Sequence, residues 1–171
     1  MGLETLADNM DHPFLFQKEV VAITQASNTT LDLWVRDGII EPYRLTRRDR
    51  LYSAAQAIEI DLIHLLVDSF RMRPVGARDL ARQALNAHRP LFPQDVADIE
   101  NGRPWHSPLS RDDRHAQGYT RDADGTLRQT VEGDDPAASV MVVLPTQPIA
   151  RRVLNNIRKI ADDRQLADSR S

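Results

Sequence analysis

The chain has 171 residues, 41% of them hydrophobic, and a net charge of −3, so it is long enough for one folded domain or two small ones and is not a uniformly basic nucleic-acid coat. It contains no cysteine, which excludes disulfides, thiolate metal sites and cysteine redox sensing. No apolar run approaches the ~20 residues of a membrane span, and the acidic N-terminus lacks the apolar core of a signal peptide, so a cytoplasmic protein without membrane partners is expected.

The first predicted elements are a flexible arm and two short helices. Residues 1–13 are expected to be the arm, and the apolar residues of 14–25 have helical spacing. Ser27 and Asn28 then form a turn that can cap a second helix. Gly38 supplies the left-handed residue that ends this second helix.

Short extended pieces and two longer helices are predicted next. Residues 39–52 surround Pro42, which cannot lie inside a helix. Ser53 can cap the helix that follows, whose apolar residues form a stripe, and a further helix is expected at 75–88. Together these elements predict an N-terminal domain over residues 14–89.

The character of the sequence changes at residue 90. Residues 90–117 are rich in proline and charge and are expected to be a linker. Asp124 and Gly125 are a turn signal between two short strands, which predicts a hairpin. Residues 139–145 are a continuous apolar run of strand length, which favours a strand buried on both faces.

A last amphipathic helix completes a small α+β unit, predicted over residues 118–164, with a frayed tail over 165–171. The apolar surface of its strand and helix is too large for a unit of this size to cover alone. We therefore expect it to form a homodimer interface, although the helix could instead fold back on its own chain. The expected interface residues are Val140, Val142, Leu144, Ile149, Val153, Ile157 and Ile160.

The order of the N-terminal elements resembles a known DNA-binding family. The matching stretch is FQKEVVAITQASNTTLDLWVRDGIIEP, followed by RDRLYS. It contains an alanine-bearing apolar first helix, Thr-Leu at the start of the second, a later aromatic, an acid-Gly-aliphatic-aliphatic string and Arg-x-Tyr-Ser. This order and spacing resemble the winged helix-turn-helix of the MerR type. The resemblance implies a mainly α winged helix-turn-helix that binds duplex DNA.

Three departures from that family limit what the resemblance implies. The usual Arg-Tyr-Tyr string of the second helix is replaced by Asp32, Leu33 and Trp34, and the glycine before Arg-x-Tyr is replaced by Asp49. Pro90 and Pro93 interrupt the chain where the family's long dimerisation helix would continue. The resemblance therefore extends to DNA binding and not to metal or drug sensing.

The candidate DNA-binding residues fall into two groups, those expected to contact base edges and those expected to contact the DNA backbone. The N-terminal end of the second helix would face base edges in the major groove, whereas arginines of the hairpin, Lys18, Arg36 and tyrosine hydroxyls suit phosphates or a narrow minor groove. The full set is Lys18, Asn28, Thr29, Thr30, Arg36, Tyr43, Arg44, Arg47, Arg48, Arg50 and Tyr52. Two alternatives stay open, since the hairpin arginines could be a solvated face and Tyr52 could cap the core.

No catalytic, metal or cofactor site is predicted. The five histidines are scattered without helical metal-ligand spacing, and no phosphate-binding glycine loop is present. The sequence thus favours a non-enzymatic, sequence-specific transcriptional regulator that acts as a homodimer. The alternative is an excisionase-like or phage-terminase-small-subunit-like factor that recognises DNA and recruits a second protein. A protein–protein adaptor that has lost DNA binding is a third interpretation.

Overall fold

A computed structural model describes residues 9–44, 49–102, 115–121, 127–129 and 139–168 of the chain. Within these ranges the helices α1 to α6 span Gln17–Ile23, Asn28–Arg36, Ala54–Phe70, Pro74–His88, Phe92–Glu100 and Thr146–Asp168. The strands β1 to β6 span Leu15–Phe16, Tyr43–Arg44, Arg50–Tyr52, His115–Arg121, Leu127–Gln129 and Ser139–Leu144. The predicted fold class is confirmed, because the chain is mainly helical with small antiparallel sheets. None of the helices in the described ranges is long and apolar enough to cross a bilayer.

The helix-turn-helix is formed by α1 and α2, and its turn is fixed by local chemistry. Ser27 caps α2, because its Oγ accepts the backbone N–H of Thr30 over 3.1 Å. Gly38 follows the C-cap with a φ of +69°, the left-handed conformation in which glycine costs least. Leu31 and Trp34 bury the inner face of α2.

The wing is a three-stranded antiparallel sheet with the order β1-β3-β2. Leu15 pairs with Tyr52 across β1 and β3, and Arg44 pairs with Arg50 across β2 and β3. Leu15 and Tyr52 are fully buried. The wing is therefore anchored to the core by the side chains of Leu15 on β1 and Tyr52 on β3.

The helix α3 is the centre of the core. Ser53 and Gln56 form a capping box at its start, and most of its residues from Ala54 to Leu66 are buried. A helix that is apolar on nearly all sides must be covered by several neighbours. Here α4 and α6 pack on α3, and α6 also contacts α1, α4 and α5.

The second sheet has the order β5-β4-β6, with all strands antiparallel. The predicted hairpin pairs β4 with β5; its turn residues, Asp124 and Gly125, lie outside the described ranges. The predicted apolar strand is β6, which pairs with β4 in the register His115 with Leu144.

The expected linker over residues 90–117 is wrong at both of its ends. The helix α5 begins at Phe92 and buries Phe92 and Val96 against the core, and β4 begins at His115. Pro93 does not prevent α5, because it lies in the first turn, where its missing N–H needs no partner. Residues 103–114 lie outside the described ranges.

The expected arm and tail are also shorter than predicted. Met10 is buried and its carbonyl accepts the N–H of Ala55 over 3.0 Å, so residues 9–13 belong to the fold. Residues 1–8 lie outside the described ranges. At the other end α6 continues to Asp168, through most of the predicted tail.

The predicted dimer face of α6 is covered by its own chain. Leu144, Ile149, Val153 and Ile157 are all buried in the core that α3 centres, and Ile160 packs against it. The physical reason is that α3 needs a covering helix, and α6 supplies the apolar stripe that does so. In this structure the helix therefore follows the alternative of folding back on its own chain, and these side chains are not exposed to a second copy. The side chains of Val140 and Val142 lie outside the described part of the chain.

A buried polar cluster centred on Asp95 joins α4, α5 and α6. Asp95 is fully buried, and one of its carboxylate oxygens hydrogen-bonds His88 Nε2 over 2.7 Å. The other accepts Arg151 Nε over 2.7 Å and Gln147 Nε2 over 3.2 Å, and Arg151 also pairs with Asp98. Buried charges are tolerated only when paired in this way.

Candidate nucleic-acid interface

The outward face of α2 is a polar stripe with helical spacing. Side chains on this face are exposed while Leu31 and Trp34 point into the core, so positions three and four residues apart share one surface. The exposed residues are Asn28, Thr29, Asp32, Leu33 and Arg36. This stripe is the surface of α2 that is free to contact a partner.

A hydrogen-bonded network ties α1, α2 and the wing together at one edge of this stripe. Gln17 Nε2 donates to Asn28 Oδ1 over 2.6 Å and to Asp32 Oδ1 over 3.1 Å. Arg50 Nη1 donates to Asp32 Oδ1 over 2.5 Å and to Gln17 Oε1 over 3.1 Å. Tyr52 donates its hydroxyl to Gln17 Oε1 over 3.4 Å. The three elements are thus held in a fixed mutual arrangement.

The protonation states of this network follow from its contacts. Hydrogen bonds from Gln17 and then Arg50 hold the pKa of Asp32 below its usual value, so Asp32 is ionised at neutral pH. Burial raises the pKa of Tyr52, so its hydroxyl keeps its proton and can donate to Gln17. The network therefore contains one ion pair, Asp32 with Arg50, and neutral donors around it.

An open groove runs between α1, α2 and the wing. Its lining combines two cations with the network, and comprises Gln17, Lys18, Val21, Asn28, Asp32 and Arg50. Lys18 is exposed at its edge. With Asp32 paired to Arg50, the lining keeps a net charge of +1, and a groove of this sign beside an exposed helix face suits duplex DNA.

Residues 17–84 match the family model described as MerR HTH family regulatory protein. This segment is a MerR-type helix-turn-helix domain. The match begins at the first residue of α1 and ends within α4, so α5, the second sheet and α6 lie outside the MerR-type domain. A comparison with curated proteins gives no match. The match confirms the resemblance and points to DNA binding in transcription regulation.

The structure brings several of the predicted DNA-binding residues of the MerR-type domain together. Lys18, Asn28 and Arg50 line one groove, and Tyr52 contacts it through Gln17. Tyr43 and Arg44 are exposed on the adjacent strand β2. Arg47 and Arg48 lie outside the described residues.

On α2 itself the predicted residues divide between surface and cap. Thr29 is exposed on the polar stripe, and Arg36 is exposed with its Nε 2.9 Å from Asp37 Oδ1. Thr30 is half-buried, and its hydroxyl lies 2.8 Å from Ser27 Oγ, which places it in the cap. Asn28 Oδ1 already accepts from Gln17, so a two-bond contact from Asn28 to adenine would have to share that oxygen.

The sequence analysis did not predict Gln17 as a residue of the site, and it did not include Asp32 among the candidate DNA-binding residues. Gln17 contacts residues 11 to 35 positions away along the chain, and no local pattern indicates such contacts. The four-residue spacing of Asn28 and Asp32 was the available signal, because it places both side chains on one helix face.

The helix α6 packs against the MerR-type domain and forms ion pairs with it. Asp61 on α3 is buried and accepts both Arg152 of α6 and the backbone N–H of Gln25, the latter over 3.0 Å. Gln25 lies in the turn between α1 and α2. The position of that turn is therefore linked to α6 through a single carboxylate.

The start of α1 is held by α6 in a similar way. Glu19 accepts the N–H of Phe16, which caps α1, over 2.8 Å, and it accepts Arg164 Nη2 of α6 over 2.6 Å.

No group of three or more metal-ligating side chains is found in the part of the chain that the structure describes.

Proposed function

We propose that the protein is a non-enzymatic transcriptional regulator that binds a specific sequence in duplex DNA, with α2 in the major groove and the wing against the backbone. The observation that carries this proposal is the juxtaposition of the exposed stripe of α2 with the groove that contains Lys18 and Arg50. Exposed side chains of α2 would read base edges, and the cations beside them would bind phosphates.

The electrostatic arrangement supports the same orientation. Lys18 on α1 and Arg50 on β3 line the groove beside α2, and Arg44 on β2 pairs with Arg50 across the wing. Each cation that neutralises a phosphate releases counterions, so binding would weaken steeply with salt. The network around Gln17 would preorganise this surface, because it holds the three elements together before DNA arrives.

A homodimer stays a prediction without an assigned surface, since the apolar face of α6 is covered within the chain. A second copy on a neighbouring half-site would still raise the affinity of a domain with a modest interface. A selected DNA motif with two-fold symmetry would support two copies. No specific observation on the described residues favours the alternative of a factor that recruits another protein.

The test is selection of bound DNA from a random duplex pool with the full chain, followed by sequencing. We expect one enriched motif, and an affinity for it that falls linearly on a plot of log K against log salt concentration. If the bound pool has the same sequence distribution as the starting pool, sequence-specific binding is wrong. The variant Arg89→Ala serves as a control. It removes an exposed arginine outside the groove and should select the same motif as the unaltered protein.

A further inference from the structure

Asp32 and Leu33 occupy the middle of the exposed stripe of α2, between Thr29 and Arg36. We propose that these two residues read bases: Asp32 accepts a hydrogen bond from the N4 amino group of a cytosine, and Leu33 contacts the methyl group of a thymine in a neighbouring base pair. This inference rests on the proposed function and names the sequence feature that the protein recognises.

Asp32 can approach DNA without its full charge. An isolated carboxylate would be repelled by the phosphates, but Arg50 lies 2.5 Å from Asp32 Oδ1. Gln17 donates to the same oxygen over 3.1 Å. The pair is close to neutral as a unit, so the repulsion is largely removed.

One carboxylate oxygen of Asp32 remains available to a base. Among the described residues both hydrogen bonds to Asp32 end on Oδ1, and Oδ2 has no partner. An ionised carboxylate only accepts hydrogen bonds. The major groove offers two donors, the N4 amino group of cytosine and the N6 amino group of adenine.

The choice between these two bases follows from the neighbouring atoms. Adenine presents the acceptor N7 beside its amino group, whereas cytosine presents no acceptor on its own major-groove edge. A carboxylate aimed at adenine would face the lone pair of N7 as well as the donor. Asp32 therefore favours cytosine.

Leu33 complements this contact. Its side chain is 42% exposed although the residue is large and apolar, and it can make no hydrogen bond. The thymine methyl is the apolar group of the major groove. Because Leu33 is adjacent to Asp32 in the helix, its contact falls in a base pair next to the cytosine.

The proposal is tested by repeating the duplex selection with Asp32→Asn, Leu33→Ala and, as a control, Asp37→Asn. Asp37 is an exposed acid at the end of the same helix, so its variant removes one charge outside the reading positions. For the unaltered protein we expect a fixed cytosine with a thymine within the neighbouring base pairs, and a loss of about tenfold when the cytosine is replaced. Asp32→Asn should change the preferred base from cytosine to adenine, because an amide both donates and accepts. Asp37→Asn should keep the cytosine.

A second measurement changes only the DNA and so does not depend on how a variant folds. Replacing the selected thymine by uracil removes the methyl group, and the unaltered protein should lose affinity about threefold to tenfold. Leu33→Ala should bind the two DNAs equally. The outcomes separate the two proposals. A protein that selects no motif overturns the proposed function together with this inference. A clear motif that lacks the cytosine, or that Asp32→Asn leaves unchanged, overturns the reading by Asp32 alone.

Discussion

Arg50 on β3 donates to Asp32 on α2 over 2.5 Å, so the wing and the exposed helix are joined by a direct ion pair. The partner acid is half exposed and the arginine is less so. This pair has two roles in the proposed complex, since it fixes the wing against α2 and lowers the effective charge of Asp32. Removing either member should therefore change DNA binding in a distinct way.

Arg50→Ala should weaken binding to all duplex sequences and reduce the slope of log K against log salt concentration by about one. Its loss should exceed that of Lys18→Ala, because Arg50→Ala also leaves the charge of Asp32 facing DNA without compensation. Fluorescence anisotropy at several salt concentrations measures both quantities, with Lys159→Ala, an exposed lysine of α6, as the control. An unchanged affinity and slope for Arg50→Ala would show that the groove is not a DNA surface.

Thr29→Ala should change which base pairs are preferred and not the affinity for DNA in general. Thr29 is exposed at the start of α2, where a hydroxyl or methyl contact to a base is worth about 1–3 kcal/mol of discrimination. Competition binding between the selected duplex and single-base variants measures this. A uniform loss across all variants would mean that Thr29 contacts the backbone and that the reading end of α2 is assigned wrongly.

Leu154→Ala should lower the free energy of unfolding by about 2–5 kcal/mol, because Leu154 is fully buried where α6 packs on the core. Leu166→Ala on the same helix should have little effect, since Leu166 is 54% exposed. Urea unfolding of both variants compares the two leucines directly. Equal stabilities would mean that α6 does not dock on the MerR-type domain in solution.

Asp95→Asn should destabilise the protein at neutral pH and flatten its acid sensitivity. Burial alone would raise the pKa of Asp95, but the hydrogen bonds from His88 and Arg151 outweigh it and hold the pKa below its usual value. A carboxyl group whose folded pKa is lowered contributes stability above its unfolded pKa of about 3.9 and loses it as pH falls through the folded pKa.

At neutral pH the loss for Asp95→Asn should be about 3–5 kcal/mol, because Arg151 and His88 lose the buried carboxylate that they share and Arg151 keeps only its pair with Asp98. The difference in the free energy of unfolding between Asp95→Asn and the unaltered protein should be largest and constant above about pH 4, and it should shrink as the pH falls below that value, so it is measured from about pH 2 to pH 7. Asp79→Asn, an exposed acid on α4, serves as the control. Parallel curves for Asp95→Asn and the unaltered protein would contradict the assigned role of Asp95.

The helix-turn-helix and the wing could be predicted from the sequence because their signals are local. Ser27 caps α2 and Gly38 ends it, and both act on residues within one turn of themselves. Pro42 and the string Arg50 to Ser53 likewise placed β2 and β3 between α2 and α3, whereas β1 lies in the stretch predicted to be helical. The family resemblance depended on these same local features, and the match over residues 17–84 confirms it.

The helix α5, the packing of α6 and the role of Gln17 depend on contacts that no local sequence pattern encodes. The prolines before α5 indicated a break, yet Pro93 is compatible with the first turn of a new helix. The stripe of α6 showed that the helix needs a cover, but periodicity does not say whether that cover is the same chain or a second copy. Gln17 was not predicted because its partners come from two other elements.

The proposed DNA interface consists of the outer face of α2 and the groove beside it. The most direct measurement is the change in backbone amide NMR chemical shifts when the selected duplex is added to the full chain. We predict that the largest changes fall at the start of α1, on the first two turns of α2 and on β2 and β3, with small changes along α6. Changes concentrated on α5 and α6, with α2 unaffected, would contradict the account.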